Sequence, residues 1–264
     1  SPTNATVSID GPVTIEDDAG VNLGAIVLPT TVSQATLSGS LRANSLFIAT
    51  GASLTTLGFN VALSGSLTSF GVLGASGAFA RTTTLTVSGG WLSYGSGSFA
   101  GLDTAVIFNG TSGTHQVFAH DRLNDVTVSG SGGTWIGTGG LRVAGDIRFA
   151  AGTFQAPLWF HVSGDWTNTA VGNFEAGSGT VFLDGVSQTL SGSTTFYALD
   201  KQSRVPATLV LPAGQEQIVE SALTLVGGSS RLNLTSDFLQ TEAPRLTLQT
   251  TDGENIVALT VNTI

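Results

Sequence analysis

A long internal repeat is the feature that most constrains the fold of this chain. Residues 85–112 match residues 160–187 without a gap, at a shift of 75 positions. A chain that repeats its sequence on this scale repeats its supersecondary structure. We therefore expect one elongated repeat domain over 1–264, with copies near 85–159 and 160–234. The nine identities among the 28 aligned pairs are Val87/Val162, Ser88/Ser163, Gly89/Gly164, Trp91/Trp166, Gly97/Gly172, Phe99/Phe174, Val106/Val181, Gly110/Gly185 and Ser112/Ser187.

The repeat is filled by alternating apolar and polar residues rather than by helical spacing. Segments such as 85–87, 141–143 and 223–225 alternate, and Gly, Asn, Asp or Ser separates them at short intervals. The Asn-Gly and Asp-Gly signals of tight antiparallel hairpins are too rare for a fold built from hairpins. The sequence predicts an all-β, right-handed parallel β-solenoid with rungs of about 25 residues, three to each copy of the repeat. Tandem antiparallel β-sandwiches are the alternative.

The composition excludes several classes of partner. Charged residues make up 10% of the chain, the net charge is −9, and Lys201 is the single lysine. A nucleic-acid binder needs clustered Lys and Arg, which this chain lacks, so nucleic acid is not expected as a partner. No apolar run approaches the ~20 residues of a spanning helix, so no membrane insertion is expected. Ser1-Pro2-Thr3 suits either a secreted chain after removal of its signal or a fragment of a longer protein.

Residues 160–201 contain a series of short motifs in a fixed order. In that order they resemble the Gly/Thr/Ser-rich β-solenoid repeat of large secreted bacterial surface and adhesin-like proteins. The first copy, 85–126, matches less well, because it lacks the Gly-x-Gly-Thr motif and the Phe before Leu123. The resemblance implies a β-helical stalk or adhesin region exported to the cell surface, and it implies no enzyme. The matching residues are Gly164, Trp166, Asn168, Phe174, Gly177, Gly179, Thr180, Val181, Gly185, Gln188, Leu190, Gly192, Phe196 and Leu199.

Two groups of charged residues are the candidates for catalysis. A β-helical polysaccharide lyase or hydrolase needs two or three converging carboxylates, whereas neighbours on a turn point in different directions. We therefore interpret the first group as a solvated turn with a salt bridge, and we expect no catalytic residue. The acidic stretch at 16–18 lacks the ligand offsets of a calcium loop, so neither a metal nor a cofactor is expected. The two groups are His120, Asp121, Arg122 and Asp125, and Asp200, Lys201 and Arg204.

The four tryptophans divide into two pairs. Trp91 and Trp166 occupy matched positions of the repeat, which predicts that both fill the core. Trp135 and Trp159 have no repeat partner. They are the candidates for exposed surface contacts, with a polysaccharide as a possible ligand.

The two ends of the chain are predicted to make intermolecular contacts. Residues 1–15 and 244–264 have the pattern of strands, and neither has the pattern of an amphipathic capping helix. Uncovered solenoid ends expose unpaired backbone groups, so we expect head-to-tail self-association or contact with further domains of a larger surface protein.

The sequence thus favours a non-enzymatic extracellular structural protein: a cell-surface stalk, a sheath or filament subunit, or an adhesin segment. A carbohydrate- or surface-binding module on a β-helix is the first alternative. A β-helical polysaccharide lyase or hydrolase is the second.

Overall fold

The computed structural model describes residues 5–16, 20–74, 83–94, 99–100, 104–169, 172–212, 214–226, 232–236, 245–248 and 258–262. These residues form 31 β-strands and contain no helix. The strands pair in parallel ladders and make about ten turns of a β-solenoid, which confirms the predicted fold class. At ~4.8 Å per turn, the solenoid is a rod of about 50 Å.

The strands are short, because each spans only one side of a turn. In chain order they are β1 (Thr6–Ser8), β2 (Pro12–Ile15), β3 (Ala25–Leu28), β4 (Gln34–Leu37), β5 (Leu41–Ala43), β6 (Ser45–Ile48), β7 (Ser53–Thr55), β8 (Val61–Leu63), β9 (Leu67–Ser69), β10 (Val72–Gly74), β11 (Thr83–Val87), β12 (Trp91–Ser93), β13 (Phe99–Ala100), β14 (Thr104–Phe108), β15 (Thr114–Ala119), β16 (Asp125–Val128), β17 (Thr134–Gly137), β18 (Gly140–Val143), β19 (Ile147–Phe149), β20 (Gly152–Gln155), β21 (Trp159–Val162), β22 (Trp166–Asn168), β23 (Gly172–Glu175), β24 (Thr180–Leu183), β25 (Ser187–Ser191), β26 (Thr194–Gln202), β27 (Ala207–Leu211), β28 (Glu216–Val226), β29 (Leu232–Ser236), β30 (Arg245–Leu248) and β31 (Ala258–Asn262).

The chain winds around three faces, which it visits in the order 1, 2, 3. Face 1 contains β1, β3, β6, β9, β12, β15, β17, β20 and β23, and face 3 contains β5, β8, β11, β14, β16, β19, β22, β25, β27 and β29. Face 2 contains β2, β4, β7, β10 and β13, and later β18, β21 and β24. Its sheet continues into the second parts of β26 and β28 and into β31, whereas the first parts of β26 and β28 continue face 1, together with β30. Between the two sections of face 2, Leu123 takes the place of a strand and bridges to Val143.

The turns contain about 20 residues rather than the predicted 25. Ladder partners lie 20 positions apart between Ala25 and Ser45, and a wider spacing occurs between Trp91 and Val117, 26 positions apart. A shift of 75 positions therefore advances the chain by three complete turns and two further faces. The two members of a repeat pair consequently lie on different faces. For example, Val87 lies on β11 of face 3 and its repeat partner Val162 on β21 of face 2.

Repeat partners share the same orientation even though they lie on different faces. Val106 on face 3 and Val181 on face 2 are both buried, but their ladder neighbours differ. The reason is that every face uses the same unit, an alternating strand followed by a glycine-containing corner. A sequence repeat has to preserve only the inward and outward alternation of that unit.

The interior is one hydrophobic cluster that extends from Ile9 to Leu225. Trp91 and Trp166 are both fully buried, which confirms their predicted place in the core. Trp166 contacts the rings of Phe149, Phe174 and Phe196 at centroid distances of 4.9, 4.7 and 5.1 Å. Such aromatic clusters add stabilisation beyond the area that they bury.

A column of stacked glycines turns the corner between face 3 and face 1. Gly65, Gly89, Gly110 and Gly130 occupy this corner in four successive turns. The Gly89 N–H donates to the Gly65 carbonyl oxygen at 2.9 Å, and a Cβ on Gly130 would overlap the carbonyl oxygen of Gly110. The turns approach so closely here that a side chain has no room.

The Gly130→Ala variant is expected to lower the free energy of unfolding by about 1–3 kcal/mol, because the added methyl group overpacks this corner. The matched control is Gly11→Ala, since no heavy atom lies within 4 Å of a Cβ built there. Urea unfolding of both variants is the measurement. Equal stability of the two variants would contradict the close approach of the turns at Gly130.

Candidate functional site

The charged turn at 120–125 places its side chains in structural contacts. His120 Nδ1 lies 3.5 Å from Asp121 Oδ1, and the other oxygen of Asp121 accepts a hydrogen bond from the Phe99 N–H at 2.9 Å. The Asp125 carboxylate accepts the Asp146 N–H, also at 2.9 Å. His120 thus lies beside Asp121, while the two carboxylates of the turn bind different segments of the backbone.

Three aspartates form a column at the corner between face 2 and face 3. Asp125 binds the N–H of Asp146, Asp146 binds that of Asp165 at 2.7 Å, and Asp165 binds that of Thr189 at 2.8 Å. A Cβ on Gly145 or Gly164 would overlap the carboxylate of the preceding turn. Each carboxylate thus satisfies a backbone donor of the next turn, and the Gly-Asp pairs of the sequence are the signal of this arrangement.

Lys201, one of the candidates from the second copy, is fully buried. Its Nζ donates to the Gly185 carbonyl oxygen and, at 2.6 Å, to Gln188 Oε1. The buried Gln188 amide donates in turn to the carbonyl oxygens of Val162 and Gly164, at 3.0 and 2.7 Å. Burial lowers the pKa of Lys201 to about 8, and Asp184 opposes this shift. Lys201 and Gln188 together therefore connect three successive turns from inside the solenoid.

Asp200 lies on the outer side of face 2, in register with Phe182 and His161. The His161 ring stacks on Phe182 at a centroid distance of 4.4 Å, and its Nδ1 lies 2.8 Å from Asp184 Oδ2. Burial raises the pKa of Asp200, and the charge of Asp184 adds to that shift. Among the residues that the structure describes, no group of three or more His, Asp or Glu side chains is arranged to hold a metal ion. Asp17 and Asp18 lie outside the described residues.

The structure separates the two tryptophans that were predicted to make surface contacts. Trp135 is fully buried, and its indole N–H donates to the Gly89 carbonyl oxygen at 3.2 Å, so the prediction is wrong for this residue. The Trp135 ring occupies the space that a Cβ on Gly130 or Gly133 would need. These two glycines were the feature of the sequence that could have predicted the burial of Trp135. Trp159 is 59% exposed on face 2, and its role in binding stays a prediction.

A polar groove follows the glycine corner between face 3 and face 1. The groove has a volume of about 540 Å³. A smaller recess of about 250 Å³ adjoins it and shares Ser64, Ser88 and Asn109 with it. Ser88 Oγ donates to Asn109 Oδ1 at 2.9 Å, and Ser66 Oγ accepts the Gly90 N–H at 3.0 Å. We call these recesses the polar groove.

An exposed aromatic column lies on the same face as the polar groove, toward face 2. Its rings are Phe47, Phe70, Tyr94 and Phe118, one from each of four successive turns. Tyr94 stacks between Phe70 and Phe118 at centroid distances of 5.0 and 5.2 Å. Phe70 and Tyr94 remain 42% and 44% exposed. Sequence reasoning missed this column, because its members lie more than 20 positions apart and come together only through the register of the turns.

Comparisons with known proteins identify no relative of this chain, since no family model, curated protein or solved structure matches it. Within the described residues, no helix is long and apolar enough to cross a membrane.

The buried lysine predicts that stability depends on pH in the alkaline range. The pKa of Lys201 is about 8 in the folded chain and 10.5 in an ordinary environment. Between these values the unfolded chain binds the proton more tightly, so the free energy of unfolding rises with pH across this window. Below pH 8 the amine is charged in both states and contributes no slope.

Urea unfolding at pH 8, 9 and 10 tests this prediction, with Lys201→Met as the matched variant. Lys201 is the single lysine, so the variant removes every lysine titration from the chain. The variant is expected to show a flatter dependence on pH than the natural chain. If the free energy of unfolding changed with pH equally in the two proteins, the Lys201 amine would not be buried in the folded chain.

Proposed function

We propose that this chain is a non-enzymatic structural element of the cell exterior: a stalk, a sheath or filament subunit, or an adhesin segment. It assembles through the ends of its solenoid. The observation that carries the proposal is the edge of the first described turn, whose strands have a ladder partner on one side only among the described residues. The occupant proposed for that edge is the last turn of a second copy.

The first turn exposes both backbone and apolar side chains. β1 pairs with β3, and β2 pairs with β4, so each has one ladder partner among the described residues. All three residues of β1 are exposed, in contrast to the alternating burial of β3 and β4. Val7 and Val13 are 40% and 43% exposed. An edge of this kind is a template for another strand.

The far end of the solenoid offers a complementary edge. Long strands there, β26 and β28, bend continuously from face 1 to face 2, with a bulge between Phe196 and Ala198. β30 and β31 pair side by side along β28. Because every ladder is parallel, the last turn of one copy has the strand direction that the first turn of another copy requires. Such head-to-tail addition does not close and builds a filament.

The charged side chains that could serve catalysis contribute to the fold instead, which supports a structural role. Only 10% of the residues are charged. The carboxylates of Asp125, Asp146 and Asp165 bind backbone N–H groups of neighbouring turns. The resemblance of residues 160–201 to the repeat of secreted bacterial surface proteins supports export to the cell surface.

The double variant Val7→Lys, Val13→Lys is expected to stay monomeric, because charges on an edge strand disfavour the addition of a further strand. The matched control is Val186→Lys, Val205→Lys, which changes two valines of similar exposure, 55% and 49%, away from the first turn. Analytical ultracentrifugation and electron microscopy over a concentration series are the measurements.

The natural chain and the control are expected to form end-to-end oligomers. A natural chain that remains monomeric at every concentration would refute the proposal. Equal assembly of both double variants would refute the role of the first turn.

A further inference from the structure

Face 1 combines two features over the same turns. The polar groove lies along its edge with face 3, and the aromatic column lies toward face 2. From this juxtaposition we infer that face 1 is a binding site for an extended, neutral polysaccharide, which lies along the solenoid axis. This site is separate from the ends that mediate assembly.

Among the described residues, the lining of the groove supplies hydrogen-bonding groups and contains neither an acidic side chain nor a lysine. Its lining contains Ser, Thr, Asn, Gly and His115, and Arg42 lies at the smaller recess, where its guanidinium donates to the Gly20 carbonyl oxygen at 3.0 Å. Polyanions are recognised by clustered basic side chains, which are absent here. The net charge of −9 also repels them. The chemistry of the lining therefore favours a ligand that carries hydroxyl groups and no charge.

Individual groups in the groove retain hydrogen-bonding capacity. Asn109 Oδ1 accepts from Ser88, and within the described part of the chain its amide N–H groups have no partner. Ser66 Oγ accepts from Gly90 and can still donate its own proton. These groups supply the donors and acceptors that sugar hydroxyls require.

The glycine corner provides the room for a ligand. Gly65, Gly89 and Gly110 lack a Cβ because the turns approach too closely, so the floor of the groove is backbone. The resulting volume of about 540 Å³ is within the range of small-ligand sites.

The aromatic column supplies the apolar half of the site. Its rings stack on one another, so their rims rather than their full faces reach the solvent and form a continuous apolar strip. The Tyr94 hydroxyl adds a polar group to that strip. Sugar rings have the same division, with C–H groups on their faces and hydroxyls at their edges. The strands between groove and column are roughly 10 Å across, so one ligand can contact both.

The periodicity of the surface argues for a polymeric ligand. Each turn presents a similar corner and a similar ring after ~4.8 Å along the axis. An extended glycan repeats its own contacts on the same scale. Successive sugars can therefore make equivalent contacts with successive turns. The favourable binding free energy then increases with the number of turns that the ligand contacts.

Affinity gel electrophoresis tests the site with soluble hydroxyethylcellulose, galactomannan and starch as neutral probes, and with polygalacturonate as the anionic probe. The natural chain is expected to be retarded by at least one neutral probe and not by polygalacturonate. The Phe70→Leu, Tyr94→Leu variant keeps the apolar bulk but removes two rings, and it is expected to bind about tenfold more weakly. Asn109→Asp keeps the acceptor for Ser88 but removes the amide donors, and it is also expected to bind more weakly.

Tyr197→Leu is the matched control, because it removes an exposed aromatic ring that lies outside the turns of the aromatic column, and its binding is expected to be unchanged. The Val7→Lys, Val13→Lys variant is expected to bind like the natural chain, which separates this site from end-to-end assembly. Circular dichroism checks that every variant is folded. Absence of retardation by all three neutral probes, retardation by polygalacturonate alone, or unchanged binding of both face-1 variants would each overturn the inference. Loss of binding in Trp159→Ala, with the face-1 variants unchanged, would place the site at the exposed tryptophan of face 2, as the sequence predicted, and would overturn the inference as well.

Discussion

The parallel, in-register stacking of successive turns is the constraint on which the rest of this structure depends. Each inner turn hydrogen-bonds to the turn before it and the turn after it, so a residue on a face lies beside the residue one turn away, in most turns about 20 positions along the chain. The close approach at the corners excludes a Cβ at Gly89, Gly110 and Gly130. The inward side chains in turn form one continuous core without a separate second layer.

Stacking also turns single residues into columns, and the columns determine what the surface can do. Asp125, Asp146 and Asp165 lie in successive turns and bind backbone N–H groups, so their charges serve the fold. On face 1 the same stacking aligns Phe70 with Tyr94 and produces an extended surface instead of a closed pocket. Extended surfaces and open ends suit contacts with polymers and with further copies of the chain, which is the basis of both proposals.

The sequence predicted the parallel solenoid and the burial of Trp91 and Trp166, because alternation and repeat-matched aromatics depend on local pattern. It did not predict the length of a turn, since a repeat of 75 can preserve the inward positions of Val106 and Val181 while moving them to different faces. Trp135 was placed wrongly, because its burial depends on the space beside Gly130. The Lys201–Gln188 contact and the aromatic column were missed, since both require the register of separate turns.

Disulfide trapping tests the register most directly, because the natural chain contains no cysteine. Arg148 and Thr167 are ladder partners on face 3, 19 positions apart, so Arg148→Cys with Thr167→Cys is expected to form a disulfide under mild oxidation. Arg148→Cys with Asn173→Cys represents a turn of 25 residues, and it is expected to remain reduced, because Asn173 lies on face 1. Intact mass and non-reducing electrophoresis distinguish the two states. A disulfide in the second pair and none in the first would contradict the stacking on which this account rests.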